Sequence, residues 1–175
     1  AQMLMLGDAD MALAGGAECM SRAPYILQAA RFGQKMGDTK ALDMMTGALT
    51  CPFGTGHMGI TAENVAAQAG ISRADQDAFA LRSQAKAAAA QQNGRLAREI
   101  TAVTIPQRKG DAVVVGQDEH PRATTIEALA KLGTPFRKGG SVTAGNASGV
   151  NDGAAALILA SAAAAQKYGL APIAR

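Results

Sequence analysis

Short apolar runs, broken at regular intervals by glycine and proline, set the pattern of this 175-residue chain. Residues 1–6 read as the last turns of a helix, with Gly7 as the C-cap. Residues 10–14 form a brief apolar run closing at Gly15-Gly16, as expected of a buried strand ended by a glycine turn. A helix is expected around Tyr25 to Phe32, followed by a loop holding Gly33, Gly37 and scattered Lys and Arg. Met36, Met44 and Met45 read as adaptable core filler. Thr61 is expected to cap a helix that runs to Ala69 and stops at Gly70. Ser72-Arg73-Ala74-Asp75 has the form of a capping box with the shorter Asp in place of Glu. The helix it opens runs to Gln92, where Asn93-Gly94 ends it. Its apolar stripe, including Ala78, Phe79, Leu81 and Ala85, is thin, so it should pack close to a neighbour.

The second half continues in the same manner. Strands are expected at 100–105, ended by Pro106, and at 113–115. A short helix follows from Thr125 to Leu132, then a brief strand at 141–143. Residues 154–160 read as another buried strand, after which Ser161 caps a last helix to Tyr168. The order places an irregular insert, with helices of its own, between two buried strands. The fold class expected is therefore α/β and layered. The divisions are residues 1–20 as part of a core, 21–142 as a loop subdomain, and 143–175 as the return to that core.

Composition narrows the function classes. Alanine and glycine dominate, aromatics are 3% and Trp is absent, so layers should meet by close backbone approach. No apolar run reaches the roughly 18 residues a membrane span needs, and no basic, export-type leader opens the chain. The apolar share of 48% is too high for a disordered chain. Cys19 and Cys51 are too few and too far apart for a disulfide framework or a metal site, and a cytoplasmic setting is expected. The net charge of +3 is interspersed and lacks stacking aromatics, so nucleic acid is not the expected partner. Phosphates on a small molecule remain compatible with it.

Three stretches hold candidate chemistry. Ser141 to Gly153 sets three glycines among polar side chains between two apolar segments. It reads either as a surface turn or as a ligand loop with close backbone approach. Its spacing is neither that of a phosphate loop nor that of a dinucleotide fingerprint. Gly56-His57-Met58-Gly59 lies just before a helix start, where a His can donate to an anion or carbonyl or serve a structural role. Cys19, beside Glu18 in an apolar context, reads as a buried structural thiol. No convincing nucleophile–base pair is visible, and no Gly-x-Ser-x-Gly elbow occurs.

Taken together, these residues resemble a family. Gly15-Gly16-Ala17-Glu18-Cys19-Met20-Ser21 is similar to a thiolase stretch in which Ser usually stands at the position of Cys19. His57-Met58-Gly59-Ile60-Thr61-Ala62-Glu63-Asn64 resembles the thiolase His-Met-Gly-x-Thr-Ala-Glu-Asn motif. Val142 to Gly153 is similar to the thiolase signature Val-Thr-Ala-Gly-Asn-Ala-Ser-Gly-Leu-Asn-Asp-Gly. The resemblance covers essentially the whole chain. It implies the middle part of a longer acetyl-CoA acetyltransferase or 3-ketoacyl-CoA thiolase, with a thiolase-like layered α/β fold that is only partly contained here.

The resemblance also implies an activity: making or thiolytically cleaving 3-ketoacyl-CoA through a cysteine acyl-enzyme. The family's Cys-x-Ser-Gly and Gly-His-Pro motifs do not occur in these residues, so no catalytic residue is assigned. What the resemblance assigns here is coenzyme A binding. Ser148, Ala144 and Gly149 match positions at the pantetheine arm. Leu49, His57 and Met58 match the pantetheine tunnel and acyl pocket. Phe136 matches an aromatic beside the ligand, and Arg122 a basic residue near the nucleotide end. Gly133-Thr134-Pro135 departs from the family's common Arg-Pro-Ala/Val. Acyl-CoA is then a substrate, no cofactor is permanently bound, and the intact enzyme is expected to be a dimer or tetramer of identical chains. The alternative class is a non-catalytic acyl-CoA-binding or assembly fragment.

Overall fold

The computed structural model describes residues 1–175. Helices and strands are interspersed along the chain, as expected for an α/β protein. They are α1 (Gln2–Leu6), β1 (Met11–Glu18), β2 (Tyr25–Ile26), β3 (Leu42–Asp43), α2 (Met44–Ala48), β4 (Thr50–Cys51), β5 (Gly56–His57), α3 (Met58–Ala69), α4 (Arg73–Gln92), β6 (Val103–Ile105), β7 (Val113–Val115), α5 (Ile126–Ala130), β8 (Gly153–Ala160) and α6 (Ala162–Lys167). The strands pair antiparallel in twos: β1 with β8, β2 with β3, β4 with β5 and β6 with β7. The chain divides into two compact units, Ala1–Met45 with Val150–Arg175, and Thr46–Gly149.

The first unit is built on the β1–β8 ribbon, whose register runs from Met11 opposite Ala160 to Glu18 opposite Gly153. β1 does not stop at Gly15-Gly16 as expected. It continues to Glu18, because its partners Ala154, Ala155 and Ala156 are small enough to lie against glycine. A Cβ on Gly15 would meet the Ala155 carbonyl oxygen at 2.6 Å. The two strands were expected to be buried, and here they are not: Leu13, Leu157 and Ile158 are exposed. No layer within the chain covers both faces of a two-stranded ribbon. Burial in this unit is confined to places such as Ala164 on α6, which Ser161 caps by accepting from the Ala164 N–H. The helix expected from Tyr25 to Phe32 is instead the short strand β2, paired with β3, followed by a 3-10 turn at Ala30–Phe32.

The second unit is organised by α3 and α4. The expected capping box is present in full: the Ser72 hydroxyl accepts from the Asp75 N–H, and the Asp75 carboxylate accepts from the Ser72 N–H. α4 then runs twenty residues to Gln92, with Asn93 as C-cap. α3 begins earlier than expected. His57, not Thr61, is its N-cap: the imidazole Nδ1 accepts from the Gly59 N–H at 3.0 Å. Thr61 falls inside the first turns, where its hydroxyl is buried without a hydrogen-bond partner. Gly70 closes α3 in the left-handed conformation at φ +65°. The strand expected at 100–105 is shorter, because the Ile100 N–H is spent on the Leu96 carbonyl of a preceding turn. Residues 141–143 are in no sheet; their backbone N–H groups go to side chains instead, as described next.

Candidate functional site

The residues singled out from the sequence divide into three groups by where the fold puts them. Leu49, His57, Met58 and Phe136 come together. The β4–β5 pairing sets Thr50 opposite His57, and the Met58 N–H donates to the Leu49 carbonyl at 2.8 Å. The His57 ring stacks on Phe136 with centroids 5.0 Å apart and planes inclined by 19°. Because Nδ1 of His57 accepts from Gly59, its proton belongs on Nε2 in the neutral ring, which leaves that edge as the donor. Gly59 is required at this point: a Cβ there would come within 2.3 Å of the Phe136 ring. The missing side chain lets the aromatic lie flat against the first turn of α3.

Ala144 forms the second group, with the residues that follow α5. It lines a pocket of about 300 Å³ together with Leu132, Gly133, Thr134 and Pro135. Phe136 follows this wall directly in sequence, so the stacked ring and the pocket wall belong to one segment. Ser148 and Gly149, further along the same loop, are exposed. Arg122 stands apart: its backbone N–H donates to Gln84 Oε1 on α4, and its side chain is exposed.

Sequence reasoning passed over the residues that shape the loop from Ser141 to Gly149. Glu63 is only 3% exposed, yet it is a carboxylate. It accepts from the Ser141 and Val142 N–H groups at 2.9 Å and from the Ser141 hydroxyl at 3.2 Å. Burial alone would push its pKa up; those donors and the charge of Arg137 outweigh that and hold the carboxyl below its ordinary value. Arg137 itself donates to the Asn64 side chain. The backbone at Gly140 lies so near this carboxylate that a Cβ would meet Glu63 Oε1 at 2.2 Å. Asp77 is equally buried and pairs with Arg73 Nε at 2.7 Å. Glu63 was visible within the His57–Asn64 motif, but nothing in a linear sequence says that its partners lie 78 residues away.

In the first unit Cys19 is exposed, not buried as expected. Its sulfur lies 3.7 Å from the Ser21 hydroxyl and donates to Asp152 at 3.7 Å. Asp152 also accepts from the Ser21 N–H at 2.8 Å and hydroxyl at 2.6 Å, which ties the ends of β1 and β8 together. The partners of the sulfur are thus a hydroxyl and a carboxylate, not an imidazole. No helix is long and apolar enough to cross a membrane.

Comparison with known proteins shows the family. The family profile described as "Thiolase, N-terminal domain" matches residues 1–163. An acetyl-CoA acetyltransferase of Pseudomonas aeruginosa is 54% identical over 177 aligned residues, covering all of this chain and 45% of that protein. A beta-ketothiolase of Cupriavidus necator is 51% identical over the same extent. Among solved structures, the acetyl-CoA acetyltransferase of Syntrophomonas wolfei superposes with a TM-score of 0.86 at 47% identity, covering 98% of this chain and 43% of that one. Human mitochondrial 3-ketoacyl-CoA thiolase in complex with CoA superposes with a TM-score of 0.82 at 40% identity, covering 98% of this chain and 42% of that one. The chain thus spans less than half the length of the relatives it matches. Its fold is α/β and thiolase-like, and the chain belongs to the thiolase family.

Proposed function

We propose that this chain is the coenzyme A-holding part of an acyl-CoA C-acyltransferase that makes or thiolytically cleaves 3-ketoacyl-CoA. The observation that carries the reading is the Leu49–His57–Met58–Phe136 cluster beside the pocket at Ala144, in a chain 40% identical to a thiolase solved with CoA. A flat aromatic–imidazole stack beside an apolar pocket suits a thin, flexible pantetheine arm. In this reading Ser148 and Gly149 meet the arm with a hydroxyl and bare backbone. Arg122, exposed, supplies charge toward the phosphates.

The chemistry is a two-step acyl transfer. A cysteine thiolate attacks the carbonyl of the acyl donor and takes the acyl group, expelling the coenzyme A thiolate when the donor is acetyl-CoA, or the acetyl-CoA carbanion, which is then protonated, when the donor is a 3-ketoacyl-CoA. Deprotonated acetyl-CoA or coenzyme A, respectively, then takes the acyl group and frees the cysteine thiolate. These 175 residues contain neither a Cys-x-Ser-Gly nor a Gly-His-Pro motif, and the proposal assigns this chain no nucleophile. Its contribution is to hold the carrier so that the thioester is presented in one orientation, which can supply much of a rate enhancement. An assembly of identical chains and a cytoplasmic setting belong to the same proposal.

The test is an amide NMR titration of the chain with coenzyme A. Shifts are expected at His57, Met58, Ala144, Ser148 and Gly149, with weak affinity, a Kd of about 1 mM, or roughly −4 kcal/mol. The isolated chain is expected to show no cleavage of acetoacetyl-CoA. Absence of any shift at saturating coenzyme A removes the reading, and measurable cleavage removes the statement that the nucleophile lies elsewhere.

A further inference from the structure

The two buried carboxylates of the Thr46–Gly149 unit have no part in the reading above, yet each grips the same nine-residue loop. Glu63, on α3, spends both oxygens on the backbone N–H groups of Ser141 and Val142. Asp77, on α4, accepts from the Asn146 side-chain amide at 3.0 Å. That amide also donates to the Ser141 carbonyl at 3.0 Å, while Asn146 Oδ1 accepts from the Thr143 N–H at 2.7 Å. A buried carboxylate is costly unless its oxygens are matched by donors. Here the donors come mostly from one irregular loop that has no sheet partner.

The network extends to the other segment that lines the pocket. Arg73, paired with Asp77, donates through Nη2 to the Leu129 carbonyl at 2.7 Å and the Leu132 carbonyl at 3.1 Å. Leu132 to Pro135 and Ala144 line the same pocket. The chain of contacts Leu132–Arg73–Asp77–Asn146 therefore joins the two segments that line the pocket through charge-assisted hydrogen bonds. The loop is sorted by the same contacts: Val142 and Thr143 are buried, whereas Ala144, Ala147, Ser148 and Gly149 face outward.

We infer that Glu63 and Asp77 are positioning residues for ligand binding: they clamp residues 141–146 from two helices and so set the pocket width at Ala144 and the placement of Ser148. The inference rests on the acyl-CoA reading for the identity of the ligand, but the clamp itself is independent of it. Neither residue touches the carrier. Each acts through the loop backbone.

The test uses the whole chain and the variants Glu63→Gln and Asp77→Asn, with Asn146→Ser as a milder variant that acts from the loop side. Amide exchange at residues 141–147 is read beside exchange in α3 and α4, and coenzyme A is titrated into each folded protein. Loss of one partner of a buried hydrogen bond predicts about tenfold faster exchange in the loop and about tenfold weaker coenzyme A binding. Exchange in the two helices should stay unchanged. A purely structural role gives a different pattern: exchange rises throughout the unit, and affinity falls only with the fraction unfolded. That pattern overturns the inference, as does unchanged loop exchange in all three variants. A native chain that ignores coenzyme A but shows the localised exchange overturns the acyl-CoA reading and leaves the clamp without a ligand to serve.

Discussion

At the residue scale, the site is built by groups whose roles depend on a neighbour distant in sequence. Gly59 is flat against Phe136, 77 positions away, and a Cβ there has no room. Gly59→Ala is expected to push the ring off His57 and cost about 1–3 kcal/mol, as overpacking does. Urea unfolding with the native chain as reference measures it. Glu63 adds a pH dependence. Its pKa is held below the ordinary glutamate value of about 4.3 in the folded chain. The stability this contributes is complete above the unfolded value and is lost as pH falls through the lower, folded one. The stability gap between native and Glu63→Gln chains should therefore be flat above about pH 5 and shrink with acidification below about pH 4. A gap that widens with acidification contradicts the hydrogen-bonding account. His57 was singled out as a donor or a structural residue, and it does structural work: its Nδ1 caps α3, leaving Nε2 free to donate.

At the element scale, the parts of the fold legible in the sequence are those set by local chemistry. The capping box at Ser72–Asp75, the Gly70 stop and the Ser161 cap all act within four residues, and the structure has each of them. Ser72→Ala should cost about 1 kcal/mol, since it leaves the Asp75 N–H without its acceptor. Thermal unfolding followed by helix signal reads this directly; no change would mean that α4 is held by packing alone. The misread elements have long-range causes. Residues 141–143 have strand-like composition, but Glu63 and Asn146 take their N–H groups before a sheet can. The segment after Pro24 pairs with residues 42–43 instead of coiling, a choice no local pattern encodes.

For the molecule as a whole, the exposed β1–β8 ribbon is the main departure from expectation. Leu13 lies directly opposite Ile158 in the register, and they are 77% and 69% exposed. Isolated two-stranded ribbons are marginal in water, and contiguous exposed apolar patches attract partners. The chain by itself is expected to bind a hydrophobic dye. The paired substitution Leu13→Thr with Ile158→Thr should reduce that binding strongly and leave α4 intact, as read by fluorescence and circular dichroism. Undiminished dye binding would place the apolar surface elsewhere, for example around the exposed Phe32 and Met36.

The sequence by itself determined several helix caps and stops, among them the Ser72–Asp75 box, Gly70 and Ser161, and the family, and it singled out the candidate residues. These rest on caps, turns and contiguous motifs, whose physics is local. Only the tertiary structure decided which of those residues meet. It stacked His57 on Phe136, set Arg122 on Gln84, and turned Glu63 and Asp77 toward a loop about seventy residues away. Buried carboxylates must find donors wherever the folded backbone offers them, and a linear pattern does not say where that is.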